Sequence, residues 1–288
     1  MIKLIVSDMD GTLLNSNHQI SKENLEAIRK AEEKGVHFAI ATGRAYSDVK
    51  PLLDENNLKC ECILSNGAEY RDKNGNILEE VAIEKDGARK IINMIKKDGL
   101  SVEIYTDDGF YTIDSEEDSL RETARRIQTF NPGTGFEDAL EQAKIHPHFV
   151  NLHYIDDVEE FLKSDVKIAK FVAFYEDEET TLKVKKTLGD IEGIAISSTF
   201  TRNIEINNEQ AQKGLILSRV IEKLGLKKEE VIVLGDSYND TSLFTEFPIS
   251  FAMENAVPEI KQLAKYITDT NDNAGVAKAI YKAIAGEV

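Results

Sequence analysis

An α/β fold, with a parallel sheet interrupted by a second, mixed α/β module, is the class this sequence predicts. Three observations lead to it. Short apolar runs rich in β-branched residues recur at residues 4–6, 36–41, 62–64 and 231–234, each closing on polar turn residues; such runs read as strands buried on both faces. A helical pattern separates the first two, as a right-handed crossover between parallel strands requires. Between about residues 83 and 199 this texture gives way to shorter, mixed elements, which mark a separate module.

The first run ends in Asp8, Met9, Asp10, Gly11 and Thr12. Open α/β sheets bind ligands beyond the carboxyl ends of their strands, and aspartates two apart in extended chain share a face. Crowded carboxylates repel, so a hard divalent cation such as Mg2+ is the simplest agent to hold them together. The plainer alternative is an acidic strand-to-turn junction. Ser21 N-caps a helix that sets Leu25, Ile28 and Ala31 on one side, and Gly35 stops it. The strand at 36–41 ends in Thr42, Gly43 and Arg44. There a hydroxyl and glycine amides either grip phosphate oxygens or cap the next helix. The strand at 62–64 closes on Ser65, Asn66 and Gly67, with Asn66 either a turn residue or a ligand contact. Residues 68–82 read as a hairpin turning at Asn74, Gly75 and Asn76.

In the inserted module, Ala88, Ile91, Ile92 and Ile95 mark an amphipathic helix. Paired strands are expected at 102–105 and 110–113, and a loop at 131–135. Helices are expected at 120–127, 157–163 and 177–188, and strands at 168–175 and 193–197. The acidic run from Glu176 to Glu179 fits a helix start. His146, His148 and His153 lie close together without the i,i+4 spacing of a helix-borne metal pair, and metal binding is the lesser reading. A strand at 203–207 contains Glu205. Lys213 and Gly214 then open a helix carrying Leu217, Val220, Ile221 and Leu224 and ended by Gly225. Lys213 sits where the helix dipole disfavours a cation, which hints at an anionic partner. The strand at 231–234 runs into Gly235, Asp236, Ser237, Tyr238, Asn239 and Asp240. Three acidic or phosphate-gripping strand ends and one helix-borne lysine exceed what turns require. A strand at 249–252 and helices near 258–264 and 275–285 complete the cover.

The chain has 288 residues, enough for two domains, with an ordinary 41% hydrophobic and 30% charged composition. Its net charge of −17 argues against nucleic acid and anionic membranes as partners. An anionic ligand must therefore be drawn by local charge. Cys60 and Cys62, two apart on a strand, are poorly placed to bridge and read as packing residues. Without a leader segment or a run of about 18 apolar residues, a cytoplasmic location is expected.

Taken together, these residues give a sequence that resembles the haloacid dehalogenase-like hydrolases, specifically the Cof-type phosphatases, along the whole chain. The family's four motifs occur in order as DMDGT at Asp8, TGR at Thr42, KG at Lys213 and GDSYND at Gly235. The resemblance implies a Rossmann-like parallel-sheet core, residues 1–82 and 200–288, with an α/β cap, residues 83–199, that selects the substrate. It implies that Asp8 is the nucleophile forming an aspartyl-phosphate and Asp10 the general acid and base. Asp8, the Asp10 backbone carbonyl and Asp236 are the implied Mg2+ ligands. Thr42, Gly43, Lys213, Asn239 and the Met9 backbone amide are the implied phosphate grip, with Asp240 orienting Lys213 or metal-bound water. Arg44 and Asn66 are the core candidates for substrate contacts. The partner is then a small phosphorylated metabolite, a sugar phosphate above all. A phosphomutase of the same family and a non-catalytic metabolite-binding protein are the alternatives. The approach to Lys213, INNEQAQKG, departs from many relatives and leaves that loop's contacts open. Oligomeric state has no signal in the sequence.

Overall fold

A computed structural model, which describes residues 1–97, 101–131, 133–174, 178–198 and 203–288, divides the chain into two units. One is built mainly from Met1–Val81 and Glu209–Val288, the other mainly from Ala82–Ile196.

The first unit begins with β1 (Leu4–Ser7), α1 (Lys22–Glu33), β2 (His37–Ala41), α2 (Tyr46–Glu55) and β3 (Glu61–Leu64), followed by the hairpin β4 (Glu69–Arg71) and β5 (Ile77–Glu80). In α1, Ser21 accepts a hydrogen bond from Asn24 N, and Gly35 follows the helix with φ +77°. The second unit holds α3 (Lys85–Lys97), β6 (Val102–Thr106), β7 (Gly109–Thr112), α4 (Glu116–Phe130), α5 (Phe136–Lys144), α6 (Pro147–Val150) and β8 (Leu152–Tyr154). It continues with α7 (Val158–Lys163), β9 (Ile168–Phe174), α8 (Glu178–Leu188), β10 (Ile194–Ser197) and β11 (Asn203–Asn208). The chain completes the first unit with α9 (Lys213–Lys223), β12 (Val231–Gly235), α10 (Thr241–Glu246), β13 (Ile249–Ala252), α11 (Pro258–Leu263), β14 (Tyr266–Ile267) and α12 (Gly275–Ala285).

The first unit's sheet runs β14-β13-β12-β1-β2-β3-β4-β5. Every pairing from β14 to β3 is parallel, and the hairpin adds two antiparallel strands. β1 and β12 lie side by side, with Leu4 opposite Val231 and Ser7 opposite Leu234. From this pair the chain winds outward in both directions, so the crevice beyond their carboxyl ends is the sheet's switch point. α1 packs on α12, and α9 packs on α10. Ile5, Val6, Ile40, Ile63, Val233 and Leu234 are buried within one apolar core, which fixes the register of the strands and thus the height of each strand end.

The second unit's sheet runs β10-β11-β9-β6-β7-β8 and is mixed. Val102, Ile104, Phe171, Ala173, Ile204 and Ile206 belong to one apolar cluster. Among the residues that alternate with them, Glu103, Lys170 and Glu205 carry charge and are buried. Glu103 pairs with Arg126 and lies 2.5 Å from His148 Nε2, and Lys170 pairs with Glu205 at 3.2 Å.

The structure departs from the sequence expectation at several points. The strand at 203–207 was assigned to the core, but β11 pairs with β9 in the second unit's sheet, Ile204 opposite Ala173. Its isoleucines need that unit's apolar cluster, so the return to the first unit falls near Glu209 rather than residue 200. Helices α5 and α6 and strand β8 were not anticipated, and α4 is longer than expected. Thr42 does not cap α2, whose N-cap is Ala45. His146 caps α6, and His153 stacks near Tyr111 at 5.0 Å. Cys60 and Cys62 are free and buried. Tyr175, Glu176 and Asp177, at the expected strand end and acidic helix start, and the expected domain junction at Thr199 and Phe200 lie outside the described residues.

Candidate active site

The site forms at the switch point. β1 stops at Ser7, and Asp8 N donates to Leu234 O at 3.0 Å, which ties the first aspartate to the end of β12. The chain then turns back, Leu13 N bonding Asp8 O and Leu14 N bonding Met9 O. Gly11 makes that turn with φ +75°; a Cβ there would lie 2.5 Å from Asp236 Oδ2. Only glycine meets both demands. Thr12 Oγ1 donates to Asp236 Oδ1 at 2.8 Å and so orients the carboxylate that follows β12.

Lys213 opens α9 and is fully buried. Its Nζ donates to Asp8 Oδ1 at 2.6 Å and to Asp240 Oδ1 at 2.7 Å. These are the anions that the cation at a helix N-terminus implied. Gly214 lets this helix seat: a Cβ would lie 2.1 Å from Ser242 O, and Gly214 N bonds Ser242 Oγ at 2.9 Å. Asp240 turns its other oxygen to Asp236 N and Ser237 N, at 2.9 and 3.1 Å. Both its oxygens are thus committed within the protein.

Asp8, Asp236 and Asp240 each offer a carboxylate oxygen, all within 4.8 Å of one another. Burial pushes the Asp8 carboxyl well above its usual range; Lys213 opposes this, while Asp240, Asp236 and Asp10 add to the rise. Burial and then the Asp240 charge push Asp236 up to about 7, against the Thr12 hydrogen bond. Burial disfavours the Lys213 charge, but Asp240 and Asp8 outweigh it and hold the amine above its usual range. Three carboxylates facing one ammonium leave negative charge in a dry site, where charge is costly. An all-oxygen donor set with this excess suits a hard divalent cation. Asp8 Oδ2 and Asp236 Oδ2 carry no hydrogen bond among the described residues. The donor chemistry therefore fits such an ion.

The other predicted residues lie around this centre in the same unit. Asp10 is not in the carboxylate cluster. Its side chain is 40% exposed, and Arg44 forks onto it, Nε to Oδ2 at 2.8 Å and Nη2 to Oδ1 at 2.6 Å. Extended-chain reasoning set Asp8 and Asp10 on one face; the turn after Asp8 separates their surroundings. Thr42 is buried, and its Oγ1 accepts from Arg44 N at 3.2 Å. Ser65 N bonds Arg44 O and Asn66 N bonds Thr42 O, so the loops after β2 and β3 brace each other. Asn66, buried at φ +61°, accepts from Asn239 Nδ2 at 3.2 Å. Asn239 Oδ1 is buried without a hydrogen bond. Thr12 and Gly11 take on their tasks beside Asp236 from inside the first motif, where no local pattern marks them.

This geometry agrees with what comparison with known proteins finds. The model of the haloacid dehalogenase-like hydrolases matches residues 5–280.

The chain belongs to the haloacid dehalogenase-like hydrolases.

It is 31% identical over 96% of its length to Phosphatase YwpJ of Bacillus subtilis, covering 98% of that protein. It is 30% identical to the B. subtilis 5-amino-6-(5-phospho-D-ribitylamino)uracil phosphatase YwtE, over 99% of each chain. Among solved structures, a haloacid dehalogenase-like hydrolase from B. subtilis superposes with a TM-score of 0.84 at 30% identity, over 97% of this chain and 99% of that one. The enzyme is thus a hydrolase of the Cof-type phosphatase branch, with the parallel-sheet core of the fold.

Proposed function

We propose that this enzyme is a Mg2+-dependent phosphatase that hydrolyses small phosphate monoesters of the sugar or polyol type through an aspartyl-phosphate on Asp8. The observation that carries this reading is the seating of Asp8. It is buried at the switch point, one oxygen held by Lys213, in a carboxylate cluster with Asp236 and Asp240.

Asp8, Asp236 and the Asp10 backbone carbonyl would hold Mg2+, with Asp240 supporting Lys213. Bound there, the ion supplies positive charge against the phosphoryl oxygens and helps align the phosphorus with Asp8. Lys213, Thr42, Gly43, Asn239 and the Met9 amide take the remaining phosphate contacts. Phosphoryl transfer rewards positioning and charge neutralisation above all. An Asp8 oxygen bonds to phosphorus, the bond to the leaving alcohol breaks, and the Asp10 proton passes to that oxygen. Water then attacks phosphorus and its proton goes to Asp10; the bond between phosphorus and the Asp8 oxygen breaks, which restores the Asp8 carboxylate and releases inorganic phosphate. With a net charge of −17, the protein as a whole repels such a substrate, so this local constellation must supply the attraction.

The polyol class is supported by the relative YwtE, whose name gives it a phosphoribityl substrate. We assign substrate choice to the second unit, as a cap, and a cytoplasmic setting to the enzyme. Among the described residues no helix is long and apolar enough to cross a membrane. The test is phosphate release from a panel of sugar, polyol and nucleotide monoesters, with Mg2+ and with chelator. Release that needs Mg2+ and vanishes in Asp8→Asn is expected. Comparable turnover by Asp8→Asn would overturn the reading.

A further inference from the structure

The fork of Arg44 on Asp10 asks for an explanation that phosphate binding does not give. Both oxygens of Asp10 are taken by one guanidinium, at 2.8 and 2.6 Å, a bidentate pairing that fixes a carboxylate's orientation as well as its place. Orientation is what Asp10 otherwise lacks. Its side chain is 40% exposed against 6% for Asp8, and the strand has ended before it. Arg44 is itself well anchored. Its N–H bonds Thr42 Oγ1, its carbonyl accepts from Ser65 N, and Thr42 bonds the backbone of Ile63 and Asn66. A braced loop thus presents a planar fork to a carboxylate that little else confines. The sequence offers the TGR arginine as a substrate contact; in the structure its Nε and Nη2 turn to Asp10.

We propose that Arg44 is a positioning residue that sets the direction in which Asp10 delivers its proton, rather than a substrate anchor. The proposal rests on the phosphatase reading above. As the Asp8 oxygen bonds to phosphorus and the bond to the leaving oxygen breaks, the protonated oxygen of Asp10 turns to that leaving oxygen. The second Asp10 oxygen stays on Arg44 as the pivot. Once the proton has gone, the carboxylate closes back onto both guanidinium donors. It then stands ready to take the proton of the attacking water.

Leaving-group chemistry gives a test that a merely structural role would not move. p-Nitrophenolate departs without a proton, whereas an alkoxide needs one. kcat/KM reports the steps up to that departure, so it is measured for p-nitrophenyl phosphate and for the best alkyl ester of a sugar- and polyol-phosphate panel. General acid catalysis is worth roughly 10²–10⁴-fold, and losing its orientation should remove a sizeable part. Arg44→Ala is expected to lower kcat/KM about 30-fold on the alkyl ester and about threefold on the aryl ester. Asp10→Asn should show the same asymmetry, larger. The Arg44→Ala/Asp10→Asn double variant should lose no more on the alkyl ester than Asp10→Asn alone. Arg44→Lys keeps the charge but not the fork, and should stay close to Arg44→Ala; it carries the same comparison if Arg44→Ala does not fold. Equal losses on the two esters, or losses that multiply in the double variant, would place Arg44 on the phosphate and overturn the positioning role alone. A wild-type enzyme that hydrolyses no ester would overturn the phosphatase reading and this role with it.

Discussion

Replacing Gly11 by alanine probes the site through its backbone. The new Cβ would stand 2.5 Å from Asp236 Oδ2 and 2.8 Å from its Cγ, where ordinary contact begins at 3.4 Å. The carboxylate would have to retreat by about 0.9 Å, and the Thr12 hydroxyl at 2.8 Å would lose its partner or follow it. Two costs add in stability. An alanine at φ +75° gives up about 1 kcal/mol. A weakened hydrogen bond to a charged group gives up about 1 kcal/mol more. Chemical denaturation of the metal-free protein should therefore show a loss of about 2 kcal/mol. The effect on function is larger in proportion, because displacing a reacting group by about 1 Å costs about 10²-fold. We expect Gly11→Ala to need at least about tenfold more Mg2+ for half-maximal activity and to lose about 10²-fold in kcat. A variant with wild-type Mg2+ dependence and stability within about 0.5 kcal/mol of wild type would refute the claim that Asp236 is held for the metal against this glycine.

Other perturbations follow from the same geometry. Lys213→Met leaves Asp8 and Asp240 without the buried cation that both touch; phosphate release should disappear, and unfolding of the metal-free protein should show a loss of about 3 kcal/mol. Asp10→Asn should lose about 10²–10⁴-fold in turnover of alkyl esters while keeping its fold by circular dichroism. In the second unit, burial raises the Glu103 carboxyl, but Arg126 and His148 outweigh it and hold the group well below the usual carboxylate range. A depressed carboxylate adds stability above its unfolded-state pKa and gives it back as pH falls toward the folded-state value. Glu103→Gln should therefore be less stable than wild type by about 3 kcal/mol near neutral pH. The gap between the two unfolding midpoints should narrow progressively below about pH 4; a gap that is constant with pH would deny the ion pair its role.

The parallel core was legible because its strands are apolar runs that end on chemistry-bearing turns. Asp8, Thr42, Asn66 and Asp236 announce four such ends, and a buried strand has few other ways to stop. Lys213 was legible as an anomaly: a cation in the first turn of a helix needs an anion, and two wait there. What escaped the sequence depends on distant pairings. Asp10 and Arg44 are 34 residues apart, and no local pattern brings them together. The sheet that β11 joins is set by its pairing with β9, which the strand's own residues do not name. Helix α5 presents its buried face as Ala139 and Ala143 against Ala124, residues too small to make a strong apolar stripe. The work of Gly11 and Thr12 appears only when Asp236, more than two hundred residues later, is placed beside them.

The central claim is that Asp8 bonds to the phosphorus. It is tested most directly by acid-quenching the enzyme during turnover of a hydrolysed ester with Mg2+ and mapping the phosphoryl group to a peptide. The account predicts a hydroxylamine-sensitive acyl phosphate on the peptide containing Asp8, trapped in wild type and missing from Asp8→Asn. Full turnover with no phosphoryl-enzyme on that peptide, or with the label on another residue, would contradict it.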